Sequence, residues 1–179
     1  FAAGEPKLRE ELARIHGVSA ENVVITPGSK WAIFALMYLL FKNGGNVVIP
    51  SPYWTSYELI AKNLGAEVRL LRTELDSNWK IDVEKLDELI DEKTRLLVLN
   101  NPNNPTSKVI DDKTLEEIIQ VANNKKITVL SDEVYMGISF VRTRSILDFS
   151  GEHILVNSFS KTFAMTGWRV GYTIVKREI

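Results

Sequence analysis

Apolar positions along this 179-residue chain change their spacing as the sequence runs, and the changes mark out alternating helices and strands. Leu8, Leu12 and Ile15 share one helical face, Pro6 suits a first turn and Gly17 a stop, which predicts an N-terminal surface helix. "NVVIT" at 22–26 then reads as a strand, Lys30 to Lys42 as a helix apolar nearly all round, and "NVVIP" at 46–50 as a strand. The alternation continues. Tyr53 to Asn63, Val83 to Asp91 and Thr114 to Asn123 have helical patterning. "EVRLLRT", "RLLVLN", "ITVLS", "ILVNSF" and "RVGYTIV" read as strands. Several strands are unbroken apolar runs, as expected where helices cover both faces of a parallel sheet. The pattern predicts an α/β fold with three layers, α/β/α, around a mainly parallel sheet. It shows no internal repeat or linker, so residues 1–179 are read as one domain.

Composition narrows the function classes. With 45% hydrophobic residues the chain has apolar surface for a core, and 22 Lys+Arg against 23 Asp+Glu leave a net charge of -1. That balance lacks the basic excess of a phosphate-backbone binder, so nucleic acid is not an expected partner. Cysteine is absent, which removes disulfides, thiolate metal sites and cysteine nucleophiles together. His16 and His153 stand far apart without metal-ligand spacing and read as ordinary surface or core residues. The longest apolar run, Trp31 to Phe41, is well short of the ~20 residues a membrane helix needs. It reads as a buried helix in a soluble, cytoplasmic protein. The chain opens at "FAAGEPKLREELARIHG" with no initiating methionine and no signal-peptide pattern, so a fragment of a longer protein is expected.

Open parallel sheets place ligands beyond the carboxyl ends of their strands. Four polar clusters follow strands here: Pro27 to Lys30, Asn101 to Thr106, Asp132 to Tyr135, and Ser158 to Lys161. Gly28, Ser29 and Lys30 open a helix, whose free N–H groups attract anions. The segment lacks the second glycine of a Walker A loop, and most Pro-Gly turns bind nothing. Asp132 reads either as a cap or as a carboxylate aimed at a protonated ring nitrogen. "NNPNNPT" reads either as a plain loop or as a rigid frame presenting an asparagine, and Tyr135 either as core or as a catalytic group. Lys161 suits a Schiff base, provided its site favours the neutral amine. Arg169 offers a bidentate fork for phosphate, with the hydroxyls of Ser158 and Ser160 beside it. Together these groups describe a pyridoxal 5'-phosphate site.

The segments "SPYWTSY", "NNPNNPT", "SDEVY" and "SFSKTFAMTGWRVGY" resemble those of the fold type I pyridoxal-phosphate aminotransferases, class I/II, the aspartate aminotransferase family. The resemblance runs over essentially the whole chain. It implies that Lys161 carries the cofactor as a Schiff base and later moves the substrate α-proton, and that Asp132 pairs with the pyridine nitrogen. It implies that Tyr135 and Asn104 bond the phenolate oxygen and that Trp54, with Tyr53 as the alternative, stacks on the ring. Gly28, Ser29, Lys30, Ser158, Ser160 and Arg169 would hold the phosphate, and a cis bond would precede Pro105. The implied reaction is transamination between an amino acid and a 2-oxo acid, in a homodimer.

Three departures accompany the resemblance. Ser107 stands where the family has glycine. The N-terminal arm, with the tyrosine before this chain's start, and the C-terminal small domain, with its carboxylate-binding arginine, lie outside residues 1–179. The parent is therefore expected to be an aminotransferase, while this chain alone is expected to turn over poorly. Rival readings are a related carbon-sulfur lyase or cyclopropane-forming synthase, and a cofactor-sensing domain of a transcription regulator. A dinucleotide-binding domain is disfavoured, because G-x-G-x-x-G does not follow the first strand.

Overall fold

The computed structural model describes residues 1–175. Seven strands form one sheet: β1 (Val23–Thr26), β2 (Asn46–Ser51), β3 (Glu67–Arg72), β4 (Thr94–Asn100), β5 (Thr128–Asp132), β6 (His153–Ser158) and β7 (Gly171–Val175). Their spatial order is β1-β7-β6-β5-β4-β2-β3. Neighbours from β6 to β3 run parallel, and β7 lies antiparallel between β6 and β1.

The unbroken apolar runs split residue by residue between the two faces. Val47, Ile49, Leu96, Val98, Leu130, Ile154 and Val156 pack with α2 (Ser29–Phe41) and α3 (Ser56–Asn63). Val48, Leu97, Leu99, Val129 and Leu155 point the other way, against α1 (Pro6–His16), α4 (Val83–Leu89) and α5 (Asp112–Asn124). Period-two alternation with both faces covered gives the three layers expected from the pattern.

Helix ends follow local chemistry. Pro6 opens α1, and Gly17 closes it with a left-handed φ of 65°. The carboxylates of Asp82 and Asp111 accept from Lys85 N at 3.1 Å and Thr114 N at 3.0 Å, capping α4 and α5.

Four expectations change. α2 is not buried all round: Trp31, Phe34, Tyr38 and Leu39 are exposed, because only its sheet-facing side meets a partner layer. α3 starts at Ser56, after a cis Ser51–Pro52 bond, rather than at Tyr53. The last strand begins at Gly171, because Arg169 adopts a left-handed φ of 54° that strands do not accommodate. Strand β6 stops at Ser158, and a short helix α6 (Phe159–Thr162) follows. The bond before Pro105 is cis as expected, as is that before Pro102. His153 is buried, and the half-buried His16 meets the Tyr172 hydroxyl at 2.9 Å. Among the described residues no helix is long and apolar enough to cross a membrane, and no His/Cys/Asp/Glu group could hold a metal.

Candidate active site

β4, β5, β6 and β1 end at the same edge of the sheet, and register brings their terminal residues side by side. Asn100 pairs with Asp132 across β4 and β5, while Gly171 pairs with Thr26 on one side and Ser158 on the other. A cleft opens there. Ser29, Lys30, Trp54, Asn104, Asp132, Tyr135, Ser158, Ser160, Lys161 and Arg169 all line it, with Tyr57, Asn100, Val134 and Thr166. Of the residues singled out from sequence, Gly28 stands just behind this surface. Tyr53 lines a neighbouring cavity and donates its hydroxyl to Glu58.

One side of the cleft suits an anion. Gly28 has a φ of 87° at the start of α2, and a Cβ there would stand 2.2 Å from Arg169 Nη2. Glycine thus lets the guanidinium lie against the helix start, where backbone N–H groups are free. The Arg169 fork is steadied by donation from Nη1 to Thr166 O at 2.8 Å. Ser158 Oγ accepts from Ser160 N at 3.3 Å, which caps α6 and sets both serines beside the fork. Lys30 Nζ sits 4.8 Å from the centroid of the Trp54 ring, holding that ring by a cation–π contact.

The opposite side carries a buried acid. Asp132 is 3% exposed, and burial pushes its carboxyl up to about 6, with its hydrogen bonds opposing the shift. Oδ2 accepts from the Tyr57 hydroxyl at 2.7 Å and Oδ1 from Val134 N at 3.3 Å. Burial also raises the Tyr57 hydroxyl well above its ordinary value, so it remains a donor. A carboxylate held by two neutral donors matches a cationic ring N–H, which would supply the charge that burial withholds. Tyr135 and Lys161 line the same cleft. The Lys161 Nζ is 5.7 Å from the Tyr135 ring centroid, and the Tyr135 hydroxyl is 3.4 Å from Asn104 Nδ2.

Three contributors lie within the quoted segments but are assigned no role from the sequence. Asn100 donates to Asp132 O at 2.9 Å and accepts from Asn104 N at 2.7 Å, linking acid and asparagine loop. Tyr57 is one of many aromatic residues until α3, seated over β2 and β3, carries its hydroxyl to Asp132 at the end of β5. Gly171 packs on the anion turn so closely that a Cβ would lie 2.8 Å from Ser29 N.

The model for aminotransferase class I and II matches residues 2–179. The chain belongs to this family. A probable aspartate aminotransferase of Methanocaldococcus jannaschii is 37% identical over 183 residues, 98% of this chain and 48% of that protein. A mutant Thermus thermophilus aspartate aminotransferase aligns with a TM-score of 0.94 at 33% identity, covering 97% of this chain and 50% of the other. An aromatic aminotransferase from Pyrococcus horikoshii gives a TM-score of 0.92, also at 33% identity, with 98% and 50% covered. The chain spans about half the length of these relatives. Its three-layer fold is that of their matching half.

Proposed function

We propose that this chain is the cofactor-binding large domain of a pyridoxal-phosphate-dependent aminotransferase, exchanging an amino group between an amino acid and a 2-oxo acid. The observation that carries the reading is the convergence, in one cleft, of an amine (Lys161), a buried acid (Asp132) and a glycine-backed guanidinium (Arg169). When bound, pyridoxal phosphate supplies an aldehyde that condenses with amines and a pyridinium ring that draws electrons from the substrate.

Each residue then has a task its chemistry fits. Arg169, Ser158, Ser160, Ser29 and the Gly28 turn bind phosphate, and Lys30 holds Trp54 as a flat wall for the ring. Asp132, oriented by Tyr57, keeps the ring nitrogen protonated. Tyr135 and Asn104 donate to the ring oxygen. Lys161 Nζ is the point of covalent attachment and, once released, the base that moves the substrate α-proton. In this reading an N-terminal arm and a C-terminal small domain lie outside residues 1–179, and the latter clamps the substrate carboxylate. The intact protein is a cytoplasmic homodimer. Its substrate is drawn from the range that names its relatives, which includes aspartate and aromatic aminotransferases.

The test is to add pyridoxal phosphate, reduce with borohydride and map the modified peptide by mass spectrometry. Label confined to Lys161, and absent in Lys161→Ala, is the expected result. Label scattered over surface lysines, here and in the intact protein alike, would overturn the reading.

A further inference from the structure

Asp132 is followed by a second buried acid that the cleft does not use. Alternation along β5 sends Asp132 to the α2/α3 face and sends Ser131 and Glu133 to the opposite face. Glu133 is 1% exposed. Its Oε1 accepts from Ser131 Oγ at 3.0 Å and Ile146 N at 2.7 Å, and its Oε2 from Ser145 Oγ at 2.9 Å. One carboxylate therefore joins the end of β5 to a segment reached only after a long loop. That segment is itself rigid: Ser145 and Asp148 close a reciprocal capping box around residues 146–148.

The loop so closed, residues 134–144, gives Val134 and Tyr135 to the lining of the cleft. It carries Tyr135, and it packs on the helix of Lys161 so tightly that a Cβ on Gly137 would lie 2.3 Å from Thr162 Oγ1. Its outer part contributes little to its own stability, since Ile138, Phe140 and Val141 are exposed. The base of the loop must hold what its tip does not.

We infer that Glu133 is a positioning residue, which ties the two ends of the 134–144 loop and so sets Tyr135 against Asn104 and the loop against the helix of Lys161. The inference concerns this chain's own loop, and its link to cofactor binding rests on the function proposed above.

Hydrogen–deuterium exchange and pyridoxal phosphate titration, followed by absorbance, test it on Glu133→Gln. The amide keeps the size of the side chain and one acceptor oxygen for Ile146 N and Ser131 Oγ, but it turns the contact with Ser145 Oγ from one accepted to one donated and so leaves the Ser145 hydroxyl hydrogen without its acceptor. Exchange across 134–144 should quicken about fivefold, as expected when one buried hydrogen bond is lost, while β4 exchanges as before. Affinity for pyridoxal phosphate should fall by a similar factor. Ser145→Ala, which removes the donor to Glu133 and the cap on Leu147 N together, should shift both readouts the same way. Unchanged exchange in 134–144, or acceleration spread equally over β4, overturns the inference. If neither the wild-type chain nor the intact protein is trapped at Lys161, the cofactor reading fails, and the exchange data still decide the role of Glu133.

Discussion

Asp132 works against the fold that buries it. Its carboxyl is raised from an unfolded value near 3.8 to about 6, so folding is favoured when it is protonated and loses that benefit as pH rises through about 6. Asp132→Asn should therefore stabilise the cofactor-free chain by about 3 kcal/mol at pH 8, with little gain by pH 4, in urea melts. The same substitution should weaken pyridoxal phosphate binding, which separates the roles of stability and function. At the anion turn, Gly28→Ala forces Arg169 aside and should cost about tenfold in affinity, the scale of one charge-assisted hydrogen bond. Lys161, Asp132, Arg169 and the serines were legible in the sequence because each has a distinctive chemistry directly after or near a strand end. Asn100 and Tyr57 were not, since their part depends on the β4–β5 register and on the placement of α3.

Elements were read best where burial is two-sided. Runs such as "RLLVLN" leave little choice but a central strand, whereas "RVGYTIV" has the same pattern in either direction, so the antiparallel setting of β7 was invisible. Its start was misplaced because Arg169 and its left-handed backbone serve the cleft rather than the sheet. The asparagine loop shows a related compromise. Ser107 holds a left-handed φ of 59°, so Ser107→Gly should raise stability by about 0.5–1 kcal/mol in chemical denaturation, the strain relief exceeding the added chain entropy. A few residues on, Asp111→Ala should lower it by about 1 kcal/mol by uncapping α5.

At the scale of the whole molecule, α2 leaves Trp31, Phe34, Tyr38 and Leu39 in solvent, with the Phe34 and Tyr38 rings stacked 6.4 Å apart. A patch of this kind suits the second copy of the proposed homodimer. Sedimentation of Tyr38→Lys/Leu39→Lys should show a shift toward monomer, and wild-type-like association would refute that placement. The position of β7 has a different consequence, one of timing. β2, β3, β4 and β5 can assemble from residues 46–132, but β1 touches the sheet only through β7, the last strand described. As the chain leaves the ribosome, β1 must wait for β7. The anion cradle joins the turn at Gly28 to Arg169, so it is the final part of the cleft to close, and the nascent chain should acquire cofactor binding only after residue 175 has emerged.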